Sequence, residues 1–268
     1  MEIKEYVKLA KEAFKKEIAS FSRVPCLSII TVGNDPASEA YVRGKKKDAA
    51  EVGILALHTT FDENVSEEEV LSLLRKQNDD PSIDGIIVQL PLPKHISEKK
   101  INATINPKKD VDGFCLGSHF DPCTPKGIID YLDYLKYPFC GKNAVVIGRS
   151  EIVGKPMARL LLNKNCNVTT LHSKTSEADR AFYIAHADLL VVATGRRGLV
   201  DSHYIFNPAC YIFDVGINRD ENNHLHGDCE PSLSVAYQSP VPGGVGLLTR
   251  LALLTNLMEA YKYGLSNN

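Results

Sequence analysis

The sequence predicts an α/β fold in two domains, each built on a mostly parallel sheet. Short apolar, β-branched runs alternate with helical segments from Ser28 onward. The alternation breaks once, between about Gly113 and Gly141, and then resumes. One run, Ala144–Ile147, passes straight into a glycine-punctuated helix start. Strands alternating with helices favour parallel pairing, with the helices covering both faces of the sheet. A chain of 268 residues, 44% of them hydrophobic, can bury one long core or two modest ones.

The elements follow in order. The opening stretch MEIKEYVKLAKEAFKKEI has the pattern of a charged amphipathic helix and not of a signal peptide. Ser28–Val32 is expected as a strand, Ser38–Val52 as a helix with Ser38 at its N-cap, and Leu57–Phe61 as a strand. Ser66–Gln77 is expected as a helix, because Ser-Glu-Glu-Glu supplies a cap acceptor and acids for the first turn. Gly85–Leu90 is a further strand, carrying Gln89 at its end, and the stretch FCLGSHFDPCTPKG is a loop before a helix near Ile128–Leu135. Pro138, Cys140 and Gly141 break the chain. The second series has strands at Ala144–Ile147, Val168–Leu171, Leu189–Ala193 and Tyr211–Val215. Thr249–Tyr261 is expected as a final helix, apolar on one face, that returns to the first domain. The domains are thus 1–135, completed by 247–268, and 136–246.

Composition removes several classes. A net charge of −2 advertises no nucleic-acid surface, and Lys45-Lys46-Lys47 is too short a run to alter that. No apolar run has membrane-spanning length. The seven cysteines are scattered, without a C-x-x-C pair, as expected of reduced thiols in a cytoplasmic protein that binds no metal.

Gly148 lets the chain turn after Ala144–Ile147, and Gly154 lets the next helix approach the strand, so the intervening N–H groups can face a pyrophosphate. The strand Val168–Leu171 ends in His172-Ser173-Lys174 and lacks the acid that reads a ribose 2′-hydroxyl. A hydroxyl and a cation there, with Arg149 in the turn, suit a 2′-phosphate and hence NADP; otherwise Arg149 and Lys174 are ordinary solvated charges. Ala193-Thr194-Gly195 and Asp214-Val215-Gly216-Ile217-Asn218 close two more strands with small residues that leave room for a ligand. In the first domain, Tyr41 and Lys45 share one helix face, and Gly44 between them costs about 1 kcal/mol relative to Ala, which suggests close approach by another group. Gln89 ends a buried strand. Asp110 and Asp112 share a tight turn, either as site carboxylates or as turn formers.

Taken together, Tyr41-Val-Arg-Gly-Lys45, Val88-Gln-Leu-Pro-Leu92, Asp110-Val-Asp-Gly113, Pro122-Cys-Thr-Pro-Lys-Gly127, Gly148-Arg-Ser-Glu-Ile-Val-Gly-Lys-Pro156, Asp214-Val-Gly-Ile-Asn218 and Pro240-Val-Pro-Gly-Gly-Val-Gly246 resemble the bifunctional methylenetetrahydrofolate dehydrogenase/methenyltetrahydrofolate cyclohydrolase family. The resemblance spans nearly the whole chain. It implies an N-terminal α/β domain, a C-terminal Rossmann-type NADP-binding domain, an active-site cleft between them and a homodimer. It also implies oxidation of 5,10-methylenetetrahydrofolate with NADP⁺, followed by hydrolysis to 10-formyltetrahydrofolate. Lys45 would be the base or proton shuttle, Tyr41 a wall beside the folate, Gln89 a hydrogen-bond partner of Lys45, and Asp112 the anchor of the pterin. Val88, Leu90 and the loop Pro242, Gly243 and Gly244 would line the folate. Gly148, Arg149, Ser150, Val153, Gly154, Ser173, Thr194, Gly195 and Ile217 would meet the cofactor.

Oxidation of the methylene carbon leaves a delocalised cation and needs orientation above all. Water attack on the methenyl carbon releases a proton and needs a base. An ordinary lysine is only about 0.04% amine at pH 7, so a base role requires burial, a cationic substrate or neighbouring charges such as Lys46 and Lys47. Some positions depart from the family pattern: the short N-terminus lacks an opening strand, Gly44 replaces a larger residue, Leu247-Leu248 replace Pro-Met, and the segment Asp228-Cys229-Glu230 has no expected role. The rival expectations are dehydrogenase activity alone, an NADP-dependent dehydrogenase of the same architecture acting on another substrate such as a shikimate-like acid, and a non-catalytic folate- or nucleotide-binding protein.

Overall fold

The computed structural model describes residues 2–266. The first elements are α1 (Ile3–Ile18), β1 (Cys26–Val32), α2 (Pro36–Val52), β2 (Leu55–Phe61), α3 (Glu67–Asp79), β3 (Gly85–Val88) and α4 (Glu98–Thr104). After a long loop come α5 (Cys123–Tyr134), β4 (Asn143–Ile147), α6 (Gly154–Asn163), β5 (Asn167–Leu171), α7 (Glu177–Ala185), β6 (Leu189–Val192) and β7 (Tyr211–Asp214). An antiparallel pair, β8 (Asn218–Arg219) and β9 (Leu225–His226), precedes β10 (Tyr237–Gln238) and α8 (Val245–Ser266). The chain forms two compact units. A three-stranded unit comprises Lys8–Cys123 with the chain from Arg250, and a five-stranded unit comprises the residues up to Val7 with Thr124–Thr249.

In the three-stranded unit the order is β2-β1-β3, all parallel. Every residue of central β1 is buried, and its alternate side chains feed two cores. Leu27 and Ile29 join Val42 and Ala49 of α2 and Leu254 and Leu257 of α8. Cys26, Ile30 and Val32 join Val70 and Leu74 of α3 and Ile101 of α4. β2 lies at the edge and leaves Leu55 and Leu57 exposed. α3 starts as its sequence predicts, with a full capping box between Ser66 and Glu69.

Four local expectations are corrected. The N-cap of α2 is Asp35 and not Ser38, because Pro36 takes the first helical position and the Asp35 carboxylate accepts from Ser38 N. β3 stops at Val88, before Gln89. The loop after Phe114 gives way to α5 already at Cys123, so α5 includes Cys123–Gly127. α8 is buried around most of its circumference and not on one face alone: Leu251, Ala252, Leu253, Leu254, Leu257, Met258, Ala260 and Tyr261 are all buried, and Glu259 and Lys262 are exposed. A helix with this pattern belongs inside a core, and from Arg250 onward it packs in the three-stranded unit. Its buried Asn256 donates to the carbonyls of Val111 and Asp121 at 2.9 and 3.1 Å.

The five-stranded unit has the parallel order β10-β7-β6-β4-β5. β4 lies between β5 and β6, so the chain leaves β4 to one side and returns on the other. That reversal opens a crevice at the carboxyl ends of β4 and β6. β10 and the β8–β9 pair are too short to register as periodic patterns.

The position of α8 depends on Gly85. A Cβ there would stand 2.6 Å from Leu257 Cδ1 and 2.8 Å from Val111 Cγ1. We expect Gly85→Ala to lower unfolding stability by about 1–3 kcal/mol through overpacking. The urea midpoint reports this, and an unchanged midpoint contradicts the close approach.

Candidate active site

The site in the three-stranded unit begins at the first turn of α2. Ser38, freed from capping, is buried, and its Oγ donates to the Leu90 carbonyl at 3.2 Å. Gln89 Nε2 donates to the same oxygen at 2.9 Å, while Gln89 N extends the ladder by donating to Ile30 O at 2.8 Å. These bonds fix the segment after β3 against the start of α2. Ser38 was not apparent as a site-building residue from sequence, where Asn, Asp and Ser are interchangeable cap candidates.

Further along α2, Tyr41 is 38% exposed, whereas the Lys45 side chain is only 10% exposed. Lys45 Nζ donates to Gln89 Oε1 at 3.2 Å and stands 3.8 Å from Asp112 Oδ2. Val88 is buried and Leu90 half-buried beside them. Gly44 has its close neighbour: a Cβ there would meet Arg250 Nη1 at 2.7 Å. Arg250 Nε lies 2.6 Å from Asp48 Oδ2, and Lys11 holds the other oxygen of Asp48 at 2.6 Å.

The two acids of the Asp110–Asp112 turn have separate functions. Asp110 is the turn former, accepting from Cys115 N at 2.7 Å and Gly113 N at 3.2 Å. Asp112 faces Lys45. Burial pushes the Asp112 carboxyl above its ordinary range, nearby Asp110 adds to this, and Lys45 opposes it. Cys123 lies against this acid, its thiol 3.2 Å from Val111 O and 3.8 Å from Asp112 Oδ1. Burial, with Asp112 beside it, pushes the Cys123 thiol well up, so it remains protonated. A lone cysteine in an apparent loop gave no hint of this.

The five-stranded unit carries the second group of candidates. Gly148 has φ +131, and a Cβ there would overlap the carbonyl of Ala193, at the end of β6. Gly154 is buried, and its Cβ would overlap Gly148 O, so this glycine lets α6 start directly on the turn. Ser150 Oγ accepts from Val153 N at 3.2 Å and Gly154 N at 3.3 Å. Arg149, Ser150, Ser173, Gly195 and Ile217 are exposed, and Val153 and Thr194 are half-buried. After β5, Thr175 Oγ1 accepts from His172 N at 2.9 Å and leaves Ser173 at the tip. This glycine-built turn at the β4–β6 crevice, with Arg149 and Ser173 exposed and no acid ending β5, fits a dinucleotide carrying a 2′-phosphate. Pro242, Gly243 and Gly244 belong to this unit. Gly243 has φ +97, and Gly244 fits under the Pro240 carbonyl.

Two family models match this chain. The tetrahydrofolate dehydrogenase/cyclohydrolase catalytic domain matches residues 1–112, and the NAD(P)-binding domain of the same family matches residues 122–265. The chain belongs to the tetrahydrofolate dehydrogenase/cyclohydrolase family. Within that family it is 45% identical over 267 residues to the bifunctional protein FolD of Agathobacter rectalis, covering 94% of this chain and 95% of that one. The Staphylococcus aureus FolD is 47% identical over 251 residues, covering 89% and 86%. Among solved structures, the FolD enzyme of Campylobacter jejuni superposes with a TM-score of 0.91 at 38% identity, covering 97% and 96%. The Trypanosoma brucei enzyme, solved with NADP and an inhibitor, gives 0.92 at 31% identity, covering 99% and 97%.

The raised Asp112 carboxyl has a measurable consequence for this family member. Where the native carboxyl still holds its proton and the unfolded chain has lost it, above about pH 4, stability falls as pH rises until the native group also ionises. Asp112→Asn removes that slope. The stability of the variant relative to wild type is expected to increase from pH 4 to pH 7 in urea unfolding; parallel curves contradict the assignment.

Proposed function

We infer that the chain performs both reactions of its family, with Lys45, Gln89, Asp112 and Tyr41 as the working residues of the folate site. It is an NADP-dependent methylenetetrahydrofolate dehydrogenase and a methenyltetrahydrofolate cyclohydrolase. The observation that carries the residue roles is the buried Lys45 ammonium held between Gln89 Oε1 and the Asp112 carboxylate.

In the first step the chain's task is orientation. Asp112 accepts the amino and ring N–H groups of the pterin, with burial strengthening those bonds. Tyr41 supplies an aromatic wall for the rest of the folate. NADP⁺, when bound, supplies the two-electron acceptor. Arg149, Ser150 and Ser173 hold its phosphate groups, and Gly148, Val153, Gly154, Thr194, Gly195 and Ile217 shape the surface that receives it.

In the second step a water oxygen bonds to the cationic methenyl carbon, and the carbon–N5 bond breaks to leave the formyl group on N10. Lys45 Nζ takes one proton from the water as the C–O bond forms and returns it to N5 as the carbon–N5 bond breaks. The remaining hydroxyl proton leaves to solvent as the formyl C=O forms, so one H⁺ is released overall. Engagement of Asp112 by the pterin reduces its hold on Lys45 and leaves Nζ facing the reacting water. Gln89 Oε1, itself fixed through Nε2 to Leu90 O, aims the amine.

The seven cysteines are all unpaired, as suits a reducing cytoplasm. No helix of the described residues is long and apolar enough to cross a membrane. We propose a homodimer through the open edge of the five-stranded sheet at β5, where unpaired backbone groups invite a second copy. Sedimentation at the mass of one chain contradicts this.

Lys45→Met is expected to lower methenyltetrahydrofolate hydrolysis by about 10²–10⁴-fold, while measurable NADP⁺-dependent oxidation remains. Wild-type hydrolysis in the purified variant sinks the base assignment. Arg149→Ala is expected to raise KM for NADP⁺ about tenfold or more and KM for NAD⁺ far less, from loss of a charge-assisted bond. Equal effects on both cofactors count against a 2′-phosphate contact.

A further inference from the structure

Beneath the turn after β6 lies a pair of buried acids that neither reaction step has used. Asp214, the last residue of β7, is 3% exposed, and Asp228, just past β9, is 0% exposed. Glycines make room for both: a Cβ at Gly216 would overlap the Asp228 carboxylate, and one at Gly227 would overlap that of Asp214. Asp214 accepts from Gly216 N and Asp228 N at 2.9 Å and from Cys229 N at 2.8 Å. These bonds tie the end of β7 to the segment carrying Asp228.

Asp228 reaches further. Its Oδ2 accepts from Thr194 N at 2.6 Å and from Gly195 N and Thr194 Oγ1 at 2.9 Å. Its Oδ1 accepts from Asn218 Nδ2 at 2.9 Å. The Asp228 carboxylate therefore fixes the turn after β6 and, through Asn218, one neighbour of Ile217, while Asp214 holds the other neighbour through Gly216 N. The Ile217 side chain between them is 46% exposed. Burying an ionised acid is costly unless donors surround it, and here four do. What the arrangement fixes is the relative position of two loops at the carboxyl ends of adjacent strands, β6 and β7.

We propose that Asp228 is a positioning residue for NADP⁺, setting Thr194, Gly195 and Ile217 at the spacing the dinucleotide requires. This rests on the reading of those three residues as cofactor contacts. An amide at position 228 cannot serve both loops. If its oxygen faces Thr194 and Gly195, its NH₂ faces the Asn218 NH₂, and the opposite orientation leaves two peptide N–H groups without an acceptor.

The test is NADPH binding by fluorescence, with cofactor-free hydrolysis of methenyltetrahydrofolate and Tm measured on the same preparations. For Asp228→Asn we expect Kd to weaken about tenfold or more, while hydrolysis stays within about twofold of wild type. Thr194→Val, which removes only the hydroxyl donor, is expected to weaken binding about threefold. Parallel loss of binding and hydrolysis in Asp228→Asn with a collapsed Tm, combined with wild-type binding in Thr194→Val, reduces Asp228 to a structural acid and overturns the proposal. Unchanged binding in Asp228→Asn, while Ile217→Asp weakens it, overturns the positioning role but keeps the cofactor surface. Unchanged binding in both variants removes the cofactor surface itself.

Discussion

The burial of Lys45 against Asp112 is the constraint around which the three-stranded unit is arranged. A cation and an acid held 3.8 Å apart, with side chains 10% and 14% exposed, are costly to desolvate. The surrounding structure compensates with directed contacts. Gln89 Oε1 faces the ammonium, the Cys123 thiol faces the carboxylate, and Asp110 holds the turn that delivers Asp112. Each of these groups is itself fixed by backbone: Gln89 by Ile30 O and Leu90 O, Cys123 by Val111 O, and Asp110 by Cys115 N. These bonds hold the groups in place before a ligand arrives, which is what a reaction limited by orientation needs.

The five-stranded unit solves a different problem with related means. The cofactor surface proposed for it is made mainly of turns and exposed side chains, which need to be tied down. Glycines at 148 and 154 pack the turn after β4 onto β6 and α6, and the buried Asp214–Asp228 pair fixes the turns after β6 and β7. Both units place polar groups just past the carboxyl ends of parallel strands, Gln89 after β3 and Thr194 after β6, where the strand order reverses around β1 and β4.

Much of this was legible in the sequence where a residue's chemistry and its local pattern point the same way. The central strands β4 and β6 are short apolar, β-branched runs, buried over Ala144–Ile147 and Leu189–Val192, whereas edge strand β5 carries two threonines and buries only Leu171; α3 begins at a complete capping box. Gly44 was identified as a place of close approach from its cost to a helix, and Arg250 is what approaches it. Ambiguity entered where two residues offer the same local chemistry. Asp35 and Ser38 can each cap a helix, and only Pro36 at the first position decides between them. Asp110 and Asp112 can each form the turn, and the decision lies in which one meets Lys45 from another part of the chain. What remained invisible depends on contacts distant in sequence. Cys123 acquires its role from Asp112, eleven residues away, and Asp228 from Thr194, thirty-four residues away. The glycines at 216 and 227, each two or fewer residues from an acid, were the one local sign of that pair.

The central claim is that the Lys45 amine carries the proton of the hydrolytic step and does not merely hold the folate. Chemical rescue tests it directly. In Lys45→Ala, small primary alkylamines supplied in solution are predicted to restore methenyltetrahydrofolate hydrolysis in proportion to the concentration of free amine, with the more basic amines rescuing better at equal free-base concentration. NADP⁺-dependent oxidation in the same variant is predicted not to respond. Failure of every amine to restore hydrolysis, or equal stimulation of both reactions, contradicts the assignment of Lys45 as the base.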